Sequence, residues 1–363
     1  MRIELYLHIP FCAQKCAYCD FYSLSGSTAR MDDYCAMLCR ELTERAPEGD
    51  VVSTVYFGGG TPSLLGAARI ARILDTVRTQ YALEPDAEIT CEANPDSMTD
   101  AFLRGIRAAG VNRLSMGIQS ADDRELKRLG RIHTFAQAQA AFAHARAAGF
   151  ENISVDLMYG LPDQTMDGLR HSVKSLIALQ PEHLSCYALT LEPDTPLGRE
   201  QPALPDEDRQ ADMYRLICEA TRAHGMEHYE ISNFAKPGYR SRHNSGYWNL
   251  TPYLGFGPGA HSDFAGKRWE HPRDLNAYLN GRMLPNIEDE APDRRCEYVM
   301  LGLRTSDGIC AAEYDGDFTP AERVLKMLPQ YAVCEHGRWR LTEDGFFLSN
   351  AILFRVLDAL ELT

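Results

Sequence analysis

Basic charge is what this chain is shortest of. It sets 37 Lys and Arg against 51 Asp and Glu, a formal net charge of −14 over 363 residues. Nucleic-acid backbones and anionic membranes recruit basic faces, so neither is expected as the main partner, although a local basic pocket is compatible with the total. Long apolar runs are missing as well, and nothing approaches the ~20 residues that cross a bilayer. Met1 and Arg2 lead straight into IELYLHIP, without the long apolar core that follows the basic segment of a secretory signal, which points to a cytoplasmic chain. Strong compositional bias is absent too: 45% hydrophobic and 24% charged residues exclude disorder and fibrous repeats. At roughly 150 residues per domain, the length suits two domains, or one large α/β domain with an appendage.

What is present is an alternation. Runs of β-branched and aromatic residues near Ile3–Ile9, Val52–Phe57, Ala87–Glu92, Asn112–Gly117, Asn152–Leu157 and His183–Leu189 read as strands. Stretches such as AARIARILDTVRTQ and FAQAQAAFAHARAAG between them read as helices. Six β/α units imply a parallel sheet, because each crossover helix returns the chain to the same edge. Periodicity alone leaves a barrel and a doubly wound open sheet equally open. Polar and glycine-rich segments follow each strand, as the functional face of either fold requires. After Glu230 the composition turns to Gly, Pro, Asn and aromatics, an irregular segment suited to lie across the open end. From Pro285 a second unit begins, with Thr319 expected to cap a helix, a turn at Gly337, a strand and a capped helix, an order like that of a winged helix. That unit carries 8 basic and 15 acidic residues, which weighs against DNA binding. The expected boundaries are 1–235, 236–284 and 285–363.

Eleven cysteines are present, and eight stand alone in apolar or helical contexts as ordinary thiols of a reducing compartment. The other three, Cys12, Cys16 and Cys19, fall in FCAQKCAYCD with the spacing C-x3-C-x2-C, directly after the first strand. Three thiolates on one loop can hold three irons of a [4Fe-4S] cube and leave the fourth open. Zinc, with His8 as a fourth ligand, competes, but structural zinc sites usually pair two separated knuckles. A c-type haem attachment needs C-x-x-C-H, and Asp20 follows Cys19.

With these residues the chain resembles the radical S-adenosylmethionine (SAM) superfamily, whose loop of this spacing binds a [4Fe-4S] cluster with SAM on the fourth iron. LYLHIPFCAQKCAYCDFYS resembles the subfamily of oxygen-independent coproporphyrinogen III oxidase and its haem-chaperone relatives, and the match runs from Tyr6 to about Ser262. The resemblance implies a partial (β/α)6, TIM-like barrel with a small C-terminal helical, winged-helix-like domain. It places Tyr6 near the cluster and Tyr18 near adenine. Gly59, Gly60 and Thr61 of GGGTPS would meet SAM's amino group, in keeping with glycines that let backbone amides approach a ligand. Glu92, Gln119, Arg131 and Asp156 match the polar ligands of the methionine and ribose groups, and Ala188 and His261 match positions at the adenine end.

RHNSGYWN matches the HN-x-x-YW motif of the chaperone group, which makes His243 the candidate haem ligand, since imidazole binds iron and aromatics stack on porphyrin. Phe21 stands where the oxidase carries a fourth cysteine, and only five residues precede Tyr6, where the oxidase has a longer segment. Both favour a carrier over an enzyme that decarboxylates coproporphyrinogen III with a deoxyadenosyl radical. The implied cargo is haem. The implied partners are haem-accepting proteins such as respiratory cytochromes, with transient contact to membrane proteins.

Overall fold

The computed structural model describes residues 1–26, 28–282 and 285–362. Strands β1 (Arg2–Ile9), β2 (Val51–Gly59), β3 (Ala82–Ala93), β4 (Arg113–Gln119), β5 (Ile153–Tyr159) and β6 (His183–Ala188) lie parallel and side by side in chain order. That order decides what periodicity left open. A doubly wound sheet doubles back at a switch point, whereas here each strand adds beside the last, which curls the sheet one way into a partial barrel. Crossovers run through helices α1 (Met31–Glu44), α2 (Ala67–Gln80), α3 (Asp100–Ala108), α4 (Phe135–Ala147) and α5 (Met166–Ile177), and α6 (Glu207–Ala223) follows β6.

Strand β1 shows how the sequence specifies the two faces. Ile3, Leu5, Leu7 and Ile9 are fully buried at every second position. Glu4, Tyr6 and His8 take the alternate positions, and Tyr6 and His8 line the barrel's interior cavity. Helix α2 answers with Ile70, Ile73, Leu74 and Val77, buried at the spacing of one helical face. Each such aliphatic side chain contributes about 1.5–3 kcal/mol on burial. Helix α4 starts where Thr134 and Gln137 form a capping box.

Beyond β6 the sheet continues antiparallel through β8 (Asn233–Ala235) to β7 (Glu227–Glu230). On the far side β9 (Tyr253–Phe256) runs parallel to β1, and β10 (His261–Phe264), β11 (Lys267–Glu270) and β12 (Asn286–Asp289) follow antiparallel. The result is a 12-stranded sheet with β12 and β7 at its two edges. Three strands of the segment expected to be irregular, β9, β10 and β11, thus extend the sheet, and β12, expected in the C-terminal unit, is the edge strand of the same sheet. The remaining chain forms α8 (Arg294–Gly302), β13 (Ile309–Cys310), α9 (Thr319–Lys326), β14 (Ala332–Glu335), β15 (Arg338–Leu341), α10 (Glu343–Phe347) and α11 (Ser349–Ala359). The hairpin β14–β15 turns at His336 and Gly337, both with positive φ, as a tight two-residue turn requires. Thr319 is not the cap expected of it. It is already helical, and its amide donates to Asp317 Oδ1 at 2.9 Å.

Helix α7 (Arg242–Trp248) packs on the N-terminal halves of β1 to β3. Ser241 caps it, and Glu88 accepts the amides of Arg242 and His243, both at 3.1 Å, so a buried carboxylate meets the helix's positive end. Gly246 lies so close to the Glu4 carboxyl that a Cβ would overlap it.

Candidate functional site

The barrel encloses a cavity of about 970 Å³, near the top of the roughly 300–1,000 Å³ usual for small-molecule sites. Cys12, Cys16 and Cys19 line it and are half-buried, none of them in a disulfide. Their loop is held by backbone: the Ala17 amide donates to Leu129 O at 2.9 Å, and Ala17 O accepts from the Leu197 amide at 2.9 Å. An arc of hydrogen bonds joins two of the sulfurs. Thr61 Oγ1 lies 3.5 Å from Cys12 Sγ, and Asn94 Nδ2 donates to that hydroxyl at 3.1 Å. Asn94 Oδ1 accepts from Arg131 Nη2 at 2.7 Å, and Arg131 Nη1 lies 3.5 Å from Cys16 Sγ. Donors and a cation beside sulfur favour the thiolate, the form that binds metal. Burial pushes the Cys19 thiol up to about 11, and its thiol neighbours add to that. Metal binding would relieve that cost by taking the proton's place. Three thiols on one anchored loop, with no competing disulfide, fit the donor set of a [4Fe-4S] cluster.

The glycines of GGGTPS make room for the protein itself. A Cβ on Gly58 would stand 2.9 Å from the Tyr6 and Tyr56 rings, and one on Gly59, at φ 104°, 2.7 Å from the His8 ring. A Cβ on Gly60 would stand 2.7 Å from Phe11 O and 2.8 Å from Ile9 O. The Gly60 and Thr61 amides already donate to Ile9 O and Phe11 O, at 2.8 and 2.7 Å. Gly60, just after β2, thus also lets this chain segment clasp the one immediately before Cys12, with its amide engaged inside the protein.

Glu92 and Asp156 face the same cavity from the ends of β3 and the middle of β5. Tyr56 donates to Glu92 Oε1 at 2.8 Å. Burial raises Glu92 to about 7, with the charge of Asp156 adding to it, and burial raises Asp156 to about 6 against the pull of Arg131 and Arg113. Two carboxylates held at this cost in an open cavity suit a ligand rich in hydroxyl and ammonium donors, as SAM is. Gln119, at a φ of 75° that is rare outside glycine, accepts from Tyr187 OH at 2.9 Å. Tyr6, Tyr18 and Ala188 also line the cavity, so the residues expected around SAM converge on one space.

His243 lies at the closed end, 2% exposed. Its Nδ1 is 2.6 Å from Thr54 Oγ1 and its Nε2 is 3.0 Å from Tyr247 OH, and its ring stacks on Tyr56 at 4.8 Å. Burial lowers it to about 3 and raises its neighbour Glu4 to about 9, so their 3.4 Å approach joins two neutral groups and is not an ion pair. His261 sits at the cavity's rim on β10, flanked by Glu270 and Glu288. Sequence reasoning missed Asn94, Tyr56 and Arg113. Arg113 is buried, with Nε unpartnered among the described residues, and lines the cavity. Its signal was an arginine inside the apolar strand RLSMGIQ, as Glu4 was inside RIELYLHI.

The radical SAM superfamily profile matches residues 6–176. The chain is 37% identical to the heme chaperone HemW of Escherichia coli (strain K12), covering 97% of each chain. It is 38% identical to heme chaperone HemW of Mycobacterium tuberculosis (strain H37Rv), over 97% of this chain and 94% of that one. To the mouse mitochondrial radical S-adenosyl methionine domain-containing protein 1 it is 41% identical, over 99% and 88%. Among solved structures, the coproporphyrinogen III oxidase HemN of Escherichia coli, a radical SAM enzyme, superposes with a TM-score of 0.82 at 24% identity, over 98% of this chain and 89% of that one, a likeness of fold. With relatives this similar along nearly its whole length, the chain belongs to the HemW heme chaperone family of the radical SAM superfamily.

Proposed function

We propose that this protein binds haem and hands it to acceptor proteins, using a radical SAM scaffold as the carrier. The observation that carries the reading is its near-full-length similarity to proteins named heme chaperones, whereas its likeness to the oxidase is one of fold. The rim supports it: Phe21, where the oxidase pattern has a fourth cysteine, is 67% exposed beside the cavity and offers an apolar surface to a flat macrocycle. In this reading Cys12, Cys16 and Cys19 hold the [4Fe-4S] cluster. Glu92 and Asp156 accept hydrogen bonds from SAM, Gln119, Tyr6, Tyr18 and Ala188 wall its site, and Gly59, Gly60, Thr61 and Arg131 shape the edge next to the cluster. When bound, the cluster and SAM supply one-electron chemistry at the open iron. The protein's own groups exclude water, hold the thiolates and keep two carboxylates facing the ligand.

The acceptors we propose are respiratory cytochromes met at the membrane surface by a cytoplasmic carrier. No helix among the described residues is long and apolar enough to cross a membrane. The test is haem titration of the anaerobically reconstituted protein, followed by transfer to an apo-cytochrome, beside an assay for anaerobic conversion of coproporphyrinogen III. Stoichiometric haem uptake and transfer without porphyrin turnover is the expected result. Turnover with matched SAM cleavage would establish the oxidase reading instead.

A further inference from the structure

Which nitrogen meets the iron of the cargo can be argued from hydrogen bonding. Among the described residues, four histidines line the cavity: His8, His183, His243 and His261. Three of them have both ring nitrogens engaged inside the protein. His8 meets Tyr6 OH at 3.2 Å and Tyr22 O at 2.8 Å. His183 meets Ser154 Oγ and Tyr229 OH, each at 2.8 Å. His243 meets Thr54 and Tyr247 as described. Iron ligation by any of these would break a buried hydrogen bond and leave its partner unsatisfied.

His261 is built differently. Its Nδ1 lies 3.1 Å from Glu288 Oε2, while the nearest carboxylate oxygen to Nε2, on Glu270, is 3.7 Å away, beyond hydrogen-bond range. A carboxylate on Nδ1–H fixes the tautomer whose lone pair is on Nε2 and orients the ring, which is how metal-bound histidines are held. The side chain is 41% exposed, so a large planar ligand can reach it. The cross-strand register of β10 and β11 sets His261 opposite Glu270, so the sheet itself fixes the ring's flank.

The surroundings suit a macrocycle with carboxylate arms. Gly259 packs its backbone against Tyr22 and Arg273, a Cβ there standing 3.2 Å from Tyr22 Cβ and 3.6 Å from Arg273 Cγ. This brings the strand start carrying His261 beside the loop carrying Phe21. Lys15, whose ammonium donates to Phe21 O at 3.2 Å, and Arg273, which faces Asp20 at 4.0 Å, supply cations among the residues lining the cavity. Two lining cations, an exposed aromatic and an open imidazole match the propionates, the face and the iron of haem.

We propose that His261 ligates the iron of carried haem at the cavity mouth, with Glu288 as the residue that positions it. The proposal rests on the haem-carrier reading and moves His261 from the adenine end of SAM to the cargo. The test uses the full-length, anaerobically reconstituted protein titrated with ferric haem and followed by its absorption spectrum. The wild type takes up one equivalent with an imidazole-ligated spectrum. His261→Ala weakens uptake at least about tenfold and loses that spectrum, and added imidazole restores it. His243→Ala, judged only after circular dichroism shows it folded, keeps the wild-type spectrum. In the reduced form, Glu288→Gln lowers the iron–histidine stretching frequency seen by resonance Raman, which a merely structural carboxylate would leave unmoved. Failure of the wild type to take up haem sinks the carrier reading, and the proposal with it. Uptake with an unchanged His261→Ala spectrum sinks the proposal alone. The proposal also fails if zinc ions alone bind the wild type through His261 while the haem spectrum ignores its loss, since the trio with Glu270 would then be a cation site.

Discussion

Replacing Gly60 with Ala probes how the cluster loop is built. The new Cβ would stand 2.7 Å from Phe11 O, 2.8 Å from Ile9 O and 3.0 Å from Phe11 N, all backbone atoms that cannot rotate away. Comfortable separations begin at roughly 3.5 Å, so the end of β2 must back off from the chain leading into Cys12. Doing so strains the two hydrogen bonds that close this junction, Gly60 N to Ile9 O and Thr61 N to Phe11 O. Overpacking costs about 1–3 kcal/mol and each weakened backbone bond about 1 kcal/mol, so the sum is a few kcal/mol, against a typical total stability of about 5–15 kcal/mol. Because Phe11 immediately precedes Cys12, the same shift moves a cluster ligand. The variant should therefore unfold at lower denaturant concentration and hold less iron and sulfide after reconstitution. Gly66→Ala is the control for a glycine without close neighbours: its φ is positive, at 78°, and nothing lies within 4 Å of its Cβ. With ψ at 158° its backbone lies in a region that is essentially glycine's alone, so the variant should lose about 1–3 kcal/mol through backbone strain and keep its cluster. If Gly60→Ala retained full iron and unfolded within about 0.5 kcal/mol of the wild type, the clasp described here would be wrong.

Ser substitution at any one of Cys12, Cys16 or Cys19 should remove most of the iron–sulfur absorbance, and full iron content in all three variants would contradict the ligand assignment. Asn94→Ala cuts the arc between Thr61 and Arg131, so cluster loss on air exposure should speed several-fold while folding, followed by circular dichroism, stays intact. For pH, Glu92 is raised to about 7 and is mostly protonated below that value. If Glu92 accepts hydrogen bonds from SAM as proposed, affinity should rise about tenfold from pH 6 to pH 8, and Glu92→Gln should flatten the profile; calorimetry at several pH values reads this. Stability runs the opposite way. A carboxyl raised in the folded state favours folding at low pH, so without SAM that contribution is lost as pH climbs from about 4.5 through about 7.

The strands were legible because β1 to β6 each carry dense β-branched or aromatic runs, and their count of six followed. Their order was not, because side-chain periodicity reports which face is buried and says nothing about which strand lies alongside. The cysteine triplet could be read because three metal-binding side chains on one short loop need no long-range information. His243 shows the opposite. Tyr247, one helical turn on, is a partner that spacing suggests, but Thr54, 189 residues away in sequence, is fixed only by the barrel's closure. The glycines of GGGTPS were recognised as obligatory, yet the obligation comes from Tyr6, His8 and Phe11 on another strand and loop, contacts that a local reading cannot supply.

The barrel's incompleteness has a cost at its margin. Strand β12 is the outermost of twelve, and all four of its residues are exposed, including Ile287 at 53%. Its outer row of backbone donors and acceptors is a template on which another extended chain could grow. Glu288 and Asp289 stand on this short strand and repel a second copy of the same acidic sequence laid alongside. Part of the chain's excess of negative charge thus lies along the open edge of the sheet, where it opposes pairing with a second copy of the same strand.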